Sequence, residues 1–310
     1  MIIAITGGSG FIGSLLVDKH LKQGDQVRLL SRNILLERKN VQYFLGDLSS
    51  SSVDLSDFVD SVDILYHCAG EVNNESLMQE LHVNGTQRLI DAAQGKIGRW
   101  VQLSSVGAYG PSRPVANIER VVTEETPTNP IGMYEVTKTL ADELIIQASK
   151  DGWFTYSILR PSNVFGKDMP NSSIRQLGRM IRSNLFFYIG KPGAVSNYVH
   201  VDDVAEALAL CGFDSRAKNQ VFNLSNDCDQ AIVINALAEK FNVSVPRLRM
   251  NESFVRFISF LFSWLPMFPL KKSRIDSLVG KTLYSTDKIE RMLKFKPLFE
   301  VKNTIVEVLK

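Results

Sequence analysis

The sequence has few of the residues that build disulfide frameworks or metal sites. Its 310 residues include only three cysteines, Cys68, Cys211 and Cys228, and no Cys-x-x-Cys pair. An odd number of widely spaced cysteines predicts neither a disulfide framework nor a zinc site, and it favours a reducing compartment, the cytoplasm. The four histidines also lack the spacing of metal ligands, so we expect no metal.

An excess of either charge and a long hydrophobic run are also missing. The 35 basic and 33 acidic residues give a net charge of +2, which is too balanced to predict nucleic acid as a partner. The N-terminal "MIIAITGGSGFIG" leads directly into an apolar run and glycines, so no signal peptide is predicted. The apolar stretch at 257–270 is short and contains Pro266 and Pro269, so it does not predict a transmembrane helix.

Short β-rich runs alternate with helical patterns through the first half of the chain. Strands are predicted at 2–5, 26–30, 41–45, 63–67, 99–103 and 155–159, and helices at 11–23, 84–94 and 131–149. Gly24 is predicted to cap the C-terminus of the first helix. This alternation predicts an α/β fold in which helices cover both faces of a parallel sheet.

A glycine-rich motif, "ITGGSGFIG" at 5–13, lies between the first predicted strand and the first predicted helix. It matches G-x-G-x-x-G at Gly8, Gly10 and Gly13. Glycine lets the backbone turn tightly and approach a pyrophosphate, and the helix N-terminus then offers free N–H groups to the anion. The motif in this context predicts a dinucleotide site. The residues expected to line it are Gly7, Gly10, Phe11, Ile12 and Gly13.

The end of the second predicted strand, "RLLSRN", bears on the choice of cofactor. A carboxylate about 20 residues beyond the glycines would bind the ribose 2′-hydroxyl of NAD. Ser31 stands at that place and Arg32 follows it. Because a hydroxyl and a guanidinium suit a 2′-phosphate, we predict NADP. The alternative is that Arg32 is solvated and NAD binds without the carboxylate.

Further motifs follow in a characteristic order. They are "GDL" (46–48), "HCAG" (67–70), "VQLSSVGAYG" (101–110), "MYEVTK" (133–138), "LRPSNVFG" (159–166) and "YVHVDDVA" (198–205). With the glycine motif they closely resemble the extended short-chain dehydrogenase/reductase family, the NAD(P)-dependent epimerase/dehydratase group, over nearly the whole chain. The resemblance implies a doubly wound Rossmann domain with a smaller C-terminal substrate-binding domain. We assign 1–165 plus 197–222 to the first and 166–196 plus 223–310 to the second.

The resemblance implies catalytic roles for three residues. Tyr134 would be the acid/base, Lys138 its partner, and Ser105 the hydroxyl that orients the substrate oxygen. An isolated tyrosine has a pKa of about 10 and is a poor base at neutral pH. We expect a lysine one turn away and an oxidised nicotinamide to lower the pKa of Tyr134 by stabilising the phenolate.

The resemblance also implies contacts with the cofactor and the substrate. Asp47 and Leu48 would lie by the adenine, and Ala69 and Gly70 by the pyrophosphate and ribose. The backbone near Pro161 would contact the nicotinamide, with Tyr134 and Lys138 contributing on the other side. Asn163, with Ser105, would contact the substrate.

The residues after Ser105 restrict which reactions of the family the chain is expected to catalyse. Sugar-nucleotide dehydratases of the family carry an acidic pair there, whereas this chain has Val106 and Gly107, so neither dehydration nor decarboxylation is predicted. Reduction of a 4-keto sugar and 4-epimerisation need only Ser105, Tyr134 and Lys138, and the predicted NADP favours the reductase. A steroid or dihydroflavonol-type alcohol dehydrogenase is a further alternative. A nucleotide-sensing regulator without catalysis would be expected to lack the Tyr/Lys pair.

The carrier of the sugar is less defined by the sequence. Members that use UDP-sugars often have an arginine for the diphosphate where this chain has Ser196 and Asn197. Either Arg247, Arg249 or Arg274 takes that role, or the sugar has another carrier, such as a polyprenyl lipid. The segment 269–297 resembles enzymes of bacterial surface-polysaccharide synthesis. We expect a homodimer.

An apolar stripe lies in the segment 254–270. It comprises Phe254, Phe257, Ile258, Leu261, Phe262 and Leu265 at helical spacing, and its basic neighbours are Arg247, Arg249, Arg256, Lys271, Lys272 and Arg274. One interpretation is that the stripe caps the substrate-domain core or forms an oligomer contact. The other is an interfacial helix that rests on an anionic membrane surface, which would place a cytoplasmic protein peripherally at the inner membrane.

Overall fold

A computed structural model describes residues 1–33, 36–111, 119–262, 264 and 272–309. The strands are β1 (Ile2–Thr6), β2 (Gln26–Ser31), β3 (Val41–Leu45), β4 (Val62–His67), β5 (Ile97–Leu103), β6 (Arg120–Val122), β7 (Thr155–Pro161), β8 (Asn163–Phe165), β9 (Tyr188–Ile189), β10 (Val195–Ser196), β11 (Tyr198–His200), β12 (Gln220–Leu224), β13 (Cys228–Asp229), β14 (Arg249–Met250) and β15 (Thr282–Tyr284). The helices are α1 (Gly13–Lys22), α2 (Ser56–Val59), α3 (Glu75–Met78), α4 (Gly85–Ala93), α5 (Met133–Lys150), α6 (Ser173–Arg182), α7 (Val201–Phe213), α8 (Gln230–Lys240), α9 (Glu252–Leu261), α10 (Lys272–Val279), α11 (Asp287–Leu293) and α12 (Val301–Thr304).

A parallel sheet of seven strands organises the part of the chain that the structure describes. Its order is β12-β7-β5-β4-β1-β2-β3. The chain leaves β1 toward one side, returns to β4 on the other, and so creates a crevice at the carboxyl ends of these two strands. Ligands of doubly wound sheets bind at this kind of crevice.

Helices cover both faces of the sheet, as the sequence predicts. On one face, α1 and α7 bury Leu16 and Leu208 against the strands, and on the other, α4 and α5 bury Leu89 and Ile145. The central strands β1 and β4 carry nearly continuous apolar runs because both of their faces are covered. The predicted α/β doubly wound fold is confirmed.

The predicted elements of the first half match the structure to within a few residues. Gly24, the predicted cap, has a φ of +84° and donates its N–H to the carbonyl of Leu21. Glycine adopts this left-handed conformation without the clash that a Cβ would cause, so α1 ends there. The sequence pattern did not predict β12 as the seventh strand.

The C-terminal region divides its packing between the sheet and a smaller core. Ile289 and Leu293 of α11 pack with α1 and α7 against the sheet. A separate cluster joins α6, α8 and α12 around Ile174, Leu237 and Val301. The predicted boundary at 222 therefore falls inside β12, and we keep the two-domain division as a proposal in which β12 and α11 belong with the sheet.

Candidate active site

The glycine loop after β1 has the close approaches that its sequence predicts at two positions. Gly7 has a φ of +70°, and a Cβ there would lie 2.7 Å from the N atom of Ala69. A Cβ at Gly13 would lie 2.2 Å from the carbonyl oxygen of Gly7. The loop thus closes tightly on the residues after β4 and on the first turn of α1. The backbone of this turn can approach a pyrophosphate, because Gly7 and Gly13 carry no side chain.

Gly8, the first glycine of the matched G-x-G-x-x-G pattern, has a different role. A Cβ at Gly8 would lie 2.5 Å from Cδ2 of Leu29, which faces the core rather than the crevice. Gly8 is needed for helix-to-sheet packing. The glycines of the turn itself are Gly7, Gly10 and Gly13, spaced three residues apart.

Ser105 lies just beyond β5, at the same edge of the sheet. Its Oγ accepts a hydrogen bond from the N–H of Gly107 at 3.1 Å, which caps the short 3₁₀ turn Val106–Tyr109. A Cβ at Gly107 would lie 2.6 Å from Cγ of Glu135, so this turn abuts the first turn of α5. The structure therefore brings the Ser105 loop and the Tyr134 helix together.

Lys138 connects α5 with β5 and with the loop after β4. Its side chain is 5% exposed, and its Nζ donates to the carbonyl oxygen of Leu103 at 2.8 Å. A Cβ at Gly70 would lie 3.6 Å from Nζ. Burial lowers the pKa of Lys138, and the nearby Asp142 carboxylate opposes that effect. The ammonium is thus held beside the residues to which the cofactor ribose was assigned.

Tyr134 lies half-buried at the start of α5, and its electrostatics differ from the sequence prediction. Burial raises the pKa of Tyr134 to about 12, and the carboxylates of Glu135 and Asp142 raise it further. Lys138 does not offset these causes, and its ammonium donates to the Leu103 carbonyl. Without the nucleotide, the shift of the Tyr134 pKa is thus opposite in direction to the predicted one, and burial is its main cause.

Glu135 is a neighbour of the site that sequence reasoning missed. Its carboxylate reaches back toward Gly132, where a Cβ would lie 2.0 Å from Oε2. The sequence places no acid at 106 or 107, but α5 brings Glu135 to that turn from another part of the chain. Its position directly after Tyr134 could have signalled this.

A buried ion pair supports α5 behind the site. The Arg160 guanidinium donates to Oδ2 of Asp142 at 3.0 Å, with side chains 7% and 1% exposed. Ser104 donates to the same oxygen at 2.7 Å. The guanidinium also stacks on the ring of Tyr109, 5.1 Å from its centroid. This cluster ties the middle of α5 to the ends of β5 and β7.

Two buried histidines were also missed as site residues. His82 lies on a π-helical segment, Gln79–Asn84, and its ring meets that of Tyr134 edge to face with centroids 5.7 Å apart. His67 ends β4 and bonds to Thr6 and Thr86. Their spacing in the chain carries no motif, so only the fold could bring them to the site.

The residues assigned to the adenosine end lie at the carboxyl ends of β2 and β3. Ser31 Oγ donates to the Asn33 carbonyl at 2.8 Å, so its hydroxyl proton is engaged within the turn. Arg32 is exposed. Asp47 accepts from the N–H and the Oγ of Ser49. Desolvation by itself would raise the pKa of Asp47. The hydrogen bonds from Ser49 and the charge of Arg32 outweigh this effect, so the pKa is lowered.

Leu48, assigned to the adenine with Asp47, faces the core. Its side chain is 4% exposed, and its carbonyl oxygen accepts from Arg88 at 2.9 Å. A Cβ at Gly85 would lie 2.8 Å from the same oxygen. The Leu48 side chain therefore fixes the loop rather than offering a free contact surface.

The residues assigned to the nicotinamide and substrate lie at the end of β7 and in β8. Pro161 is buried opposite Leu224 in the sheet. Asn163 is exposed, and its side-chain amide donates to the carbonyl of Asn197 at 3.0 Å. Asn197 in turn donates to Asp227 and to the Thr282 carbonyl, both at 2.8 Å. The segment that lacks the expected arginine is thus fixed by amide contacts.

Two of the three arginines considered as ligands of the substrate diphosphate lie near β9. Arg249 stacks over Tyr188 at 4.7 Å and donates to the Gly190 carbonyl. Arg274 lines a small apolar cavity with Phe186 and Ile189. Arg247 is exposed.

Helix α9 presents the predicted stripe to the outside. Phe254 and Phe257 are 51% and 57% exposed, whereas Val255 on the opposite face is 2% exposed. Trp264, beyond the helix, is 74% exposed. Leu265 and Lys271, which the sequence assigns to the stripe and its flank, lie outside the described residues, as do 263 and 266–270. Within α9, the stripe does not cap the core of the substrate domain.

Comparisons with known proteins identify the family of the chain. The sequence profile of the NAD dependent epimerase/dehydratase family matches residues 3–225. The dTDP-6-deoxy-L-talose 4-dehydrogenase (NAD(P)(+)) of Kitasatospora kifunensis is 32% identical over 229 residues, 69% of this chain and 71% of that protein. A 4-hydroxy-2-methyl-3-oxo-4-farnesyl-3,4-dihydroquinoline-1-oxide ketoreductase of Stigmatella aurantiaca is 28% identical over 214 residues, 66% of this chain but only 63% of that protein.

Among solved structures, MoeE5 in complex with UDP-glucuronic acid and NAD is similar over its whole length. The two structures align with a TM-score of 0.77 at 22% identity, and the alignment covers 100% of this chain and 98% of the MoeE5 chain. At this identity the likeness shows the fold alone.

Proposed function

The chain belongs to the NAD dependent epimerase/dehydratase family, the extended short-chain dehydrogenases/reductases, and from that premise we propose that it acts at C4 of a nucleotide-activated or polyprenyl-linked sugar. The favoured reaction is NAD(P)H-dependent reduction of a 4-keto group, and NAD-dependent 4-epimerisation is the alternative. The setting, bacterial surface-polysaccharide synthesis, rests only on the resemblance of the C-terminal segment.

One observation supports the proposal most. Lys138 on α5 reaches both the end of β5, near Ser105, and the loop at Gly70. These contacts with the loop after β4 and with the end of β5 support an active site at the Tyr-x-x-x-Lys segment. A solvated Tyr/Lys pair would have no reason to bury its lysine.

Each side chain has a proposed part in the reaction. When bound, the nicotinamide supplies or accepts the hydride at C4. Ser105 Oγ holds the sugar oxygen, and Tyr134 gives its phenolic proton to that oxygen during reduction or receives it during oxidation. Because burial raises the pKa of Tyr134 to about 12, the phenol form is dominant, which suits proton donation. Lys138 holds the ribose hydroxyls of the cofactor.

The proposed cofactor is NADP, with NAD as the alternative. Arg32 is the cation at the end of β2 that can meet a 2′-phosphate, whereas the Ser31 proton is engaged with Asn33. Arg32→Ala should weaken NADP binding more than NAD binding, with Ser31→Ala as a control of smaller effect. An equal loss of affinity for both nucleotides in Arg32→Ala would contradict the proposed preference for NADP. Protein that purifies with slowly exchanging NAD would favour the epimerase.

A panel of substrates tests the reaction. NADPH oxidation with a UDP- or dTDP-4-keto sugar supports the reductase, and interconversion of 4-epimers without net cofactor consumption supports the epimerase. A hydrophobic ketone is the second candidate substrate, because a relative's name describes a farnesyl-bearing quinoline ketone. Turnover of a steroid or similar ketone without turnover of any sugar would replace the sugar proposal.

We also propose that α9 contacts an anionic membrane surface. Its outward residues Phe254, Phe257 and Leu261 are 51%, 57% and 46% exposed. Arg256 turns away from this face to pair with Glu252 and Asp276, so the charges of α9 lie to the side of the apolar face. The exposed residues Arg247, Arg249 and Lys272 flank the helix in the chain. Aromatic side chains with basic flanks suit the headgroup region.

Vesicle co-sedimentation tests this contact. The protein should pellet with vesicles that contain phosphatidylglycerol at low salt and should be released as salt rises. Replacing Phe254, Phe257 and Trp264 with serine should abolish pelleting and leave cofactor binding intact. Among the described residues, no helix combines the length and apolarity needed to cross a bilayer. Concentration-dependent dimerisation lost in the same variant, without vesicle binding by the parent, would assign the face to a second copy instead.

The proposed homodimer has a separate candidate surface near the start of α5. Ile131, Met133 and Leu140 are exposed there. Analytical ultracentrifugation of the full chain and of Leu140→Glu tests it, since a dimer that uses this surface should dissociate in the variant.

A further inference from the structure

Two chains of hydrogen bonds begin at the nucleotide-binding loops: one ends at the His82 carbonyl on the segment Gln79–Asn84, and the other ends on α5. Both pass through buried histidines, and both reach the segment 69–71 that follows β4. The residues of this segment, Ala69 and Gly70, are the ones assigned to the pyrophosphate and ribose.

The first chain joins the ends of β1 and β4. The N–H of Ala69 donates to Thr6 Oγ1 at 3.3 Å, and Thr6 Oγ1 lies 2.6 Å from Nδ1 of His67. Nε2 of His67 lies 2.9 Å from Thr86 Oγ1, and Thr86 donates to the His82 carbonyl at 2.6 Å. Because the Thr86 proton is committed to that carbonyl, His67 Nε2 carries the donated proton and Nδ1 accepts from Thr6.

The second chain joins the same loop to α5. The N–H of Glu71 donates to Nε2 of His82 at 2.8 Å, and Nδ1 of His82 lies 2.8 Å from Thr137 Oγ1. Thr137 donates onward to the Met133 carbonyl at 2.8 Å. Nε2 must accept, so the ring proton lies on Nδ1 and is donated to Thr137.

The charge state of His82 suits this pattern. Burial lowers the pKa of His82 to about 3, and the Lys138 ammonium adds to the effect. A protonated ring would turn Nε2 into a donor and set it against the Glu71 N–H. The neutral form is therefore the one that bridges the loop and the helix.

The location of His82 gives the bridge a consequence for catalysis. Its ring packs edge to face on Tyr134 at 5.7 Å, with an interplanar angle of 83°. It lies on the π-helical segment Gln79–Asn84, a form that occurs often at functional sites. The same ring thus touches the proposed acid/base and holds the loop at Gly70.

We propose that His82 is a positioning residue that locks the 69–71 loop and the first turn of α5 into one arrangement, so that cofactor binding and Tyr134 orientation are coupled. The inference rests on the proposed function, because it takes the cofactor to lie at 69–71 and Tyr134 to be the acid/base. It adds a residue that the motifs do not assign.

A matched pair of variants at Thr137 tests the bridge without removing the histidine. Thr137→Val keeps the side-chain shape and loses the hydroxyl, whereas Thr137→Ser keeps the hydroxyl. NAD(P)H affinity is measured by fluorescence titration, and kcat with the sugar substrate, after thermal unfolding shows both variants folded. The loss of one buried hydrogen bond should weaken NAD(P)H binding about threefold to tenfold in Thr137→Val and little in Thr137→Ser.

A double-mutant cycle with His82→Asn tests coupling. If His82 and Thr137 act in one chain, the double variant should lose less affinity and less kcat than the product of the two single losses. His20→Asn is the control, because His20 is equally buried but bonds to Asp25 far from the site. It should lower stability and leave cofactor affinity unchanged.

The outcomes separate the inference from the proposed function. No NAD(P)H binding by the parent protein would overturn the proposed function and this inference with it. Binding by the parent, with Thr137→Val equal to Thr137→Ser and independent losses in the cycle, would overturn the positioning role alone.

Discussion

Helices α5 and α9 break the usual distribution of polar and apolar residues in opposite ways. Helix α5 buries Thr137, Lys138 and Asp142, whereas α9 exposes Phe254 and Phe257. The buried polar groups of α5 have partners within the chain: the Leu103 carbonyl for Lys138, and Arg160 for Asp142. A stable fold alone requires neither the buried ammonium of Lys138 on α5 nor the exposed rings of Phe254 and Phe257 on α9.

The comparison teaches which kind of function each helix can have. Buried, paired polar groups are fixed in place, which is what proton transfer to a bound substrate needs. Exposed aromatic groups are available to an external surface. Local departures of this kind tend to mark functional sites, so α5 is assigned to chemistry and α9 to contact.

The largest expected effect is at the polar face of α5. Tyr134→Phe removes the phenolic proton and should lower kcat by a factor of about 10² to 10⁴, with cofactor affinity nearly unchanged. Steady-state kinetics and NAD(P)H titration measure the two quantities. Lys138→Ala, by contrast, should weaken both. Full activity of Tyr134→Phe would remove Tyr134 from the mechanism.

The two helices also carry ion pairs of opposite exposure, which sharpens the comparison. Asp142→Asn leaves the buried Arg160 charge unpaired and should lower the free energy of unfolding by about 3–5 kcal/mol. Arg256→Gln breaks a pair on α9 whose partners are 40% and 42% exposed, and there the loss should stay below about 1 kcal/mol. Urea unfolding measures the free energy of unfolding of both variants. Similar losses of stability would mean that the burial of the ion pair on α5 does not make it more important for stability than the exposed pairs of Arg256.

A smaller effect is expected from the acid beside Tyr134. Burial, then Glu135, raises the pKa of Tyr134, so Glu135→Gln should lower that pKa. The oxidative direction needs the phenolate, and its rate rises with pH until the phenol is ionised. The pH profile of kcat for alcohol oxidation should therefore shift to lower pH in the variant. An unchanged or alkaline-shifted profile would contradict the assignment of Glu135.

The smallest effect on stability is expected on α9. Replacing Phe254, Phe257 and Trp264 with serine touches exposed side chains and should change the free energy of unfolding by no more than about 0.5 kcal/mol for each site. Val255→Ser, one residue away but buried, serves as the contrast and should be clearly destabilising. A large loss in the triple variant would show that these side chains support the fold.

The sequence predicted six of the seven strands of the sheet because each of those six has an apolar run. Gly7, Gly13 and Gly24 are needed where backbone geometry excludes other residues, so the pattern carries the structure at those points. The motif around Tyr134 and Lys138 also predicted the helix α5, on which we propose that catalysis depends.

The parts that were missed depend on contacts between distant segments. His82 reaches Glu71 and Thr137, 11 and 55 residues away, and Glu135 reaches the turn after Ser105. Neither contact leaves a periodic pattern in the chain. The pKa of Tyr134 depends first on how deeply the fold buries the phenol, which spacing alone cannot indicate.

A spectroscopic titration of Tyr134 tests the central claim most directly. The claim is that α5 positions a phenol that burial and the neighbouring carboxylates keep protonated and that oxidised nicotinamide makes acidic. The phenolate absorbance of the parent protein minus that of Tyr134→Phe is followed against pH, with and without NAD(P)⁺. We expect ionisation with a pKa of about 12 without the nucleotide and at clearly lower pH with it. Identical titrations, or a shift to higher pH, would contradict the account.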